Sequence, residues 1–193
     1  MPAGPVKTYL NAQDLLEDAY ALSAKILDSG FKPKFMIAVW RGGIPIGIAV
    51  QEHLAFHGLV TDNIAIRTSS YSGIDAQSRK VKVFGLNYLV HHVEADDPLL
   101  IVDDVFDSGR SIDAIIKKIQ RHARLNTPKD IRVAVPYYKP ERNKTDRVPD
   151  YYIHETSEWL KYPHSLEGLN TAEIRQYRPE LYAILKDHLP ASD

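Results

Sequence analysis

Two stretches of the chain are apolar without a break, Phe35-Met36-Ile37-Ala38-Val39-Trp40 and Leu99-Leu100-Ile101-Val102. Runs of this kind suit strands covered on both faces, as in a parallel sheet. Asn63 to Tyr71 and Ile131 to Tyr138 read as two further strands. Between them the period changes to that of helices. Leu15, Ala19, Leu22 and Ile26 share one face and predict an amphipathic helix over 11–29, with Asn11 as cap and Gly30 as stop. A second helix is predicted from Ile44 to His57, and Ile112, Ile115, Ile116 and Ile119 mark the buried face of a third. This alternation predicts an α/β fold with a central, mainly parallel sheet flanked by helices. After Tyr138 the chain turns polar and rich in Pro and aromatics, then helical again near 171–188, with Pro179 at a break or a first turn. One domain over 1–193 is expected, with a core of about 10–138, a small C-terminal hood of about 139–170 and a final helix of about 171–189.

The stretch from Ser69 to Lys82 is polar, holds Gly73, and carries Arg79, Lys80 and Lys82. It reads as a long mobile loop, and loops of that length in compact domains often serve as lids. The eight histidines include an adjacent pair, His91 and His92, which reads as a solvated turn rather than a metal site.

Composition narrows the partners. Lys and Arg number 24 against 25 Asp and Glu, a formal net charge of −1. Proteins that grip nucleic acid by its phosphates carry a basic surplus, so no nucleic-acid partner is expected. The absence of cysteine removes disulfides, thiolate metal sites and cysteine nucleophiles together, and fits a reducing compartment. No apolar run approaches the ~18 residues of a membrane span. The start, Met1-Pro2-Ala3-Gly4-Pro5, lacks the basic flank and apolar core of a signal peptide. A cytoplasmic protein with no membrane partner is therefore expected.

Chemistry concentrates after the second apolar run. Asp103 and Asp104 fall at the C-terminal end of that strand, where open α/β sheets bind ligands. Asp107-Ser108-Gly109-Arg110-Ser111 then turns into a helix. Such a turn offers unpaired backbone N–H groups and the positive end of the helix dipole, so it can cradle one phosphate. Gly109 allows positive φ or close backbone approach, and Ser108 and Ser111 add hydroxyl donors. Two adjacent acids repel each other unless a cation or a polyol lies between or beside them. The pattern asks for a ligand with a phosphate next to a sugar diol. Neither a Walker phosphate loop nor a dinucleotide G-x-G-x-x-G occurs.

The segment Val102-Asp103-Asp104-Val105-Phe106-Asp107-Ser108-Gly109-Arg110-Ser111 resembles the phosphoribosyl pyrophosphate motif of the type I phosphoribosyltransferases. The wider resemblance covers about residues 10–165 and is closest to the 6-oxopurine salvage enzymes, those for hypoxanthine, guanine and xanthine. It implies that Trp40-Arg41-Gly42-Gly43 is the pyrophosphate loop, with a non-proline cis peptide at Trp40–Arg41. It implies that Ser70 and Tyr71 belong to a flexible lid, although Ser69 stands where relatives often have Lys. Lys139 would donate to the 6-oxo group of a base. Trp159, within Glu158-Trp159-Leu160-Lys161-Tyr162-Pro163, would stack on it, and Leu160 would offer backbone groups to its 2-position. Relatives often carry an acid shortly after this aromatic; here stand His164 and Ser165, with Glu167 further on.

The resemblance further implies phosphoribosyl pyrophosphate binding by Arg41, Gly42, Gly43, Asp103, Asp104 and Asp107 to Ser111, with Asp107 as catalytic general base. Mg²⁺ would be the cofactor, met by Asp103 and Asp104 through water or ribose. A purine base would be the second substrate, and a nucleoside monophosphate and pyrophosphate the products. A homo-oligomer is implied as well. Two other readings stay open: a regulatory or nucleotide-sensing protein on the same fold, and a transferase with a different base acceptor.

Overall fold

The computed structural model of the chain describes residues 7–72 and 79–189. It divides into two compact units, Gln13–Ser157 and Met1–Ala12 with Glu158–Asp193.

In the larger unit the uninterrupted apolar runs become neighbouring parallel strands. β2 (Phe35–Trp40) pairs with β5 (Leu99–Val102), Phe35 opposite Leu99 and Ile37 opposite Ile101. The sheet has seven strands in the order β4 (Arg79–Phe84), β3 (Asp62–Ser72), β2, β5, β7 (Ile131–Tyr138), β6 (Val105–Phe106), and β8 (Tyr151–Glu155) also pairs with β7. Among the described strands of this sheet only β3 and β4 pair antiparallel.

The strand period of two sorts the core into layers. Ile37, Val39, Leu99, Ile101, Val133 and Val135 pack with Leu89 of α3 (Asn87–His92) and with Ile112, Ile115, Ile116 and Ile119 of α4 (Arg110–Ala123). The alternate residues face α2 (Gly43–Phe56): a Cβ on Gly47 would come within 2.8 Å of the Ala38 methyl. α1 (Ala12–Asp28) lies beside α2, where the Ser23 hydroxyl donates to the Val50 carbonyl at 3.3 Å. Isoleucine is a mediocre helix former, at a cost of less than ~0.7 kcal/mol per residue. Burial of each of the four in α4 returns about 1.5–3 kcal/mol, so packing rather than propensity holds this helix.

Three expectations need correction. The stretch expected to be a loop is largely a two-stranded ribbon: β3 runs to Ser72 and β4 begins at Arg79, with Ser70 opposite Val81 and Tyr71 opposite Lys80. The alternation Lys80-Val81-Lys82-Val83 is a strand period, and Val83 is buried while Lys82 is exposed. Residues 73–78 of the expected lid lie outside the described residues, as do the side chains of Ser70 and Tyr71. The core sheet does not stop at Tyr138, because Pro140 starts a 3-10 turn and the chain returns as β8. His91 and His92 close a helical turn, their Nδ1 atoms against the carbonyls of Asn87 and Tyr88.

In the smaller unit β1 (Lys7–Tyr9) and β9 (Trp159–Lys161) form a parallel pair. α5 (Thr171–Tyr177) carries a capping box between Asn170 and Glu173, and α6 (Pro179–Leu185) starts on Pro179. Arg178 between them donates to the carbonyls of Tyr162 and Ser165, at 2.7 and 2.9 Å. Tyr9 stacks on Tyr177 with ring centroids 4.2 Å apart. Among the described residues no helix is long and apolar enough to cross a membrane.

Candidate functional site

The sheet order places a crevice. β2 and β5 are neighbours, but the chain leaves β2 for β3 on one side and leaves β5 for β7 on the other. Connections that diverge in this way open a gap beyond the strands' C-terminal ends. Two loops meet there. The first is Trp40 to Gly43, and the Trp40–Arg41 peptide is cis. The second is Asp103-Asp104.

Glycine is what lets them touch. A Cβ on Gly42 would sit 1.8 Å from Asp104 Oδ2. One on Gly43 would sit 2.7 Å from the Val102 carbonyl oxygen and 2.9 Å from the Asp103 Cα. The same contact brings the N-terminus of α2 against the acidic pair. Asp103 accepts from the Asp104 backbone N–H at 2.9 Å. Withdrawal from water, and next the negative charge of Asp104, hold the Asp103 carboxyl well above the ordinary aspartate range. A cation or hydroxyls brought against this pair would reverse that balance.

The third loop lies at the start of α4. Gly109 is its N-cap, at φ +73°, and a Cβ there would meet Thr145 Oγ1 at 2.5 Å and the Phe106 ring at 2.8 Å. Close packing and a left-handed backbone both demand glycine here. The hydroxyls of Ser108 and Ser111 have no hydrogen-bond partner among the described residues, and both line a cavity of about 520 Å³. Asp107 and Arg110 line it too, with Val81 of β4 and with Glu141, Arg142 and Lys144. The cavity presents hydroxyls, a helix N-terminus and three cations, the chemistry of a phosphate site.

Lys139 is nearly fully buried just behind Asp107, its Nζ 3.8 Å from Oδ2. Burial lowers its pKa, and the Asp107 carboxylate opposes that shift only in part. Asp107 also accepts from Arg142 Nε at 2.7 Å. Arg142 and Lys144 were not legible as site residues. The 3-10 turn Pro140–Arg142 returns Arg142 to Asp107, and the Lys144 backbone N–H donates to the Ser108 carbonyl at 3.1 Å. The signal was Pro140, which starts a turn directly after the β7 strand.

The structure thus brings Arg41, Gly42 and Gly43 to Asp103 and Asp104, and brings Asp107 to Ser111 together with Lys139. Trp159 and Leu160 stand on β9 in the other unit. Trp159 is 47% exposed, so it is not a core residue, and Lys161 Nζ lies 5.7 Å from its ring centroid.

Comparison with known proteins agrees with this geometry. A family model described as the phosphoribosyl transferase domain matches residues 5–167. No curated protein sequence matches the chain. Among solved structures, the chain is similar to a purine phosphoribosyltransferase from Pyrococcus horikoshii Ot3, with 25% identity and a TM-score of 0.67 over 85% of this chain and 97% of that one. It is similar to a hypothetical protein from Neisseria gonorrhoeae with bound ppGpp, at 20% identity and a TM-score of 0.64 over 86% and 93%. It also resembles a Helicobacter pylori xanthine-guanine-hypoxanthine phosphoribosyltransferase, at 17% identity and a TM-score of 0.62 over 91% and 99%.

Proposed function

The chain belongs to the phosphoribosyl transferase domain family, and from that premise we propose that it is a purine salvage enzyme acting on a 6-oxopurine. The 5-phosphoribosyl group of phosphoribosyl pyrophosphate would pass to a ring nitrogen of hypoxanthine, guanine or xanthine. The bond from C1 to the diphosphate oxygen breaks, the bond from C1 to nitrogen forms, and pyrophosphate leaves with the purine nucleoside monophosphate as co-product. The observation that carries this reading is the meeting of the Gly42-Gly43 loop with Asp103 and Asp104, beside a phosphate-type cavity at the α4 N-terminus.

Each part has a role suited to its chemistry. Ser108, Gly109, Arg110 and Ser111 would hold the 5-phosphate, since they supply hydroxyls, backbone N–H groups and a cation. Asp103 and Asp104 would accept from the ribose hydroxyls. Arg41 and the backbone of 41–43 would hold the diphosphate as its charge develops. Among the described residues no group of three or more metal-ligating side chains exists. Two adjacent carboxylates still fit Mg²⁺, which keeps several waters and shares oxygens with its phosphate ligand. When bound, Mg²⁺ would neutralise leaving-group charge.

Asp107 would take the proton that the purine nitrogen loses. Its partner Arg142 must then share or release it, which makes Arg142 a positioning residue. Lys139 has only donors, which suits a 6-oxo acceptor and disfavours the 6-amino group of adenine. Trp159, whose indole is exposed in its own unit, would stack on the base, and Leu160 would offer it backbone groups. Val81, opposite Ser70 on the β3–β4 ribbon that also carries Tyr71, lines the phosphate cavity, which supports a covering role for that ribbon.

The test is direct. Supplied with phosphoribosyl pyrophosphate, Mg²⁺ and one base at a time, the protein should form nucleotide with at least one of hypoxanthine, guanine and xanthine, and far less with adenine or uracil. Turnover with uracil alone would instead support a different base acceptor. Nucleotide binding without any turnover would support the sensing role, a reading the Neisseria structure keeps in view.

Two substitutions locate the chemistry. Asp107→Asn should lower turnover at least tenfold with an unchanged circular dichroism spectrum. Lys139→Met should lower kcat/KM for the preferred 6-oxopurine about tenfold or more, a loss of ~1.4 kcal/mol or more in transition-state binding. The same variant should melt no lower than the parent, because burial already disfavours the Lys139 charge and the variant puts an apolar chain of similar length in its place. A drop in melting temperature alongside full activity would mark Lys139 as structural.

A further inference from the structure

A second cavity lies outside the site described above. It occupies about 470 Å³ between β4 and α4. Its charged lining is cationic: Lys82 from β4, and Lys117, Lys118 and Arg121 from α4, with the imidazole of His122 beside them and Phe84 as an aromatic wall. We propose that this groove is a second anion site that takes a short polyphosphate chain, free or carried by a nucleotide.

The charge balance supports it. Lys117 is paired, its Nζ 2.8 Å from Asp113 Oδ2. Lys118 donates to the Val83 carbonyl at 2.6 Å, an interaction that holds its ammonium in the groove without cancelling its charge. Among the described residues neither Lys118 nor Arg121 has a carboxylate in ion-pair range. Like charges held this close on one helix are destabilising unless an anion offsets them. The Arg67 guanidinium, 4.7 Å from the Phe84 ring centroid, adds another cation beside the wall.

The dimensions select the ligand. From Lys117 to His122 the helix rises only about 7–8 Å. That span suits two or three linked phosphates and is short for a nucleic-acid track. The volume also falls in the range of small-ligand pockets, ~300–1,000 Å³. Phe84, 42% exposed, could meet the flat ring of a nucleotide.

The groove shares both walls with the phosphate cavity. Val81 lines each of them, and α4 carries Arg110 and Ser111 at one end and the cationic stripe at the other. An anion seated between β4 and α4 at Lys118 and Arg121 would therefore bear on the spacing of the two walls that both cavities share.

The experiment follows backbone amide NMR signals of the ¹⁵N-labelled full chain during titration with sodium tripolyphosphate, then ATP, then a short uridine oligonucleotide. Saturable shifts are expected at Val83, Phe84, Ala114, Lys118 and Arg121, separate from any at Ser108 to Ser111. Arg121→Glu should weaken the groove set at least tenfold and leave the other unchanged, with Arg121→Gln giving a smaller loss in the same direction. Tighter binding of ATP than of tripolyphosphate would identify a nucleotide ligand, and equal binding a bare phosphate chain. Shifts confined to Ser108–Ser111, indifference of the groove set to both variants, or tighter binding of the oligonucleotide would overturn the proposal. None of these readouts depends on catalysis, so the site can fail while the proposed reaction stands, and the reverse.

Discussion

Gly43→Ala is expected to abolish most activity, by about 100-fold or more in kcat/KM, while the protein still folds. The added methyl would lie 2.7 Å from the Val102 carbonyl oxygen and 2.9 Å from the Asp103 Cα. Both are backbone atoms, of the fully buried last residue of β5 and of the residue after it, so neither can swing aside as a flexible side chain would. Relief must come from separation of the Trp40–Gly43 loop from Asp103-Asp104. Overpacking of this kind costs ~1–3 kcal/mol, tolerable for a domain of this size. The catalytic cost is larger, because a displacement of about 1 Å in a positioning loop can remove 100-fold or more in rate. Steady-state kinetics with a melting curve separates the two effects. Activity within threefold of the parent would mean that the loop contact has no part in the reaction.

The second large effect has opposite signs on activity and stability. The double variant Asp103→Asn with Asp104→Asn should lose about 10³-fold in turnover, since it removes the proposed acceptors for ribose hydroxyls and for hydrated Mg²⁺. Without divalent cation it should nevertheless melt higher than the parent at pH 7. The Asp103 carboxyl has its pKa raised on folding, by withdrawal from water and by Asp104. The folded state therefore holds its proton more tightly than the unfolded state. Stability from this group is greatest below the unfolded value of ~3.9 and declines as pH rises toward the folded value. Asparagine removes that decline. The melting advantage of the variant should shrink as pH is lowered from 7 toward 4. An advantage that grows toward acid would contradict the assigned cause.

How much of this was readable beforehand depended on whether the signal was local. Phe35–Trp40 and Leu99–Val102 declare buried strands, because such runs suit a two-sided cover, and both ends match the structure, although Trp40 at the end of its run is exposed. Asp103, Asp104 and the turn from Asp107 to Ser111 follow at once from those strands. β4 was lost because its alternation sits inside a stretch whose average is polar and basic, and period-two signals need a buried face to stand out. Arg142 was invisible for a different reason. Its approach to Asp107 across 35 positions depends on a 3-10 turn, and no local pattern encodes that. The β1–β9 pair, three residues on each side and 152 positions apart, is likewise a tertiary fact without a periodic trace.

β4 also bears on how the folded protein behaves in a crowded solution. It ends the strand order, so one row of its peptide groups has no strand neighbour among the described residues. An open margin is a template on which another chain can add itself, the first step toward fibrous aggregates. The sequence of this strand carries Arg79, Lys80 and Lys82, and burying lysine or arginine charge against an incoming strand is costly. The cations that cost this strand its legibility in the sequence thereby guard the molecule against self-templated growth.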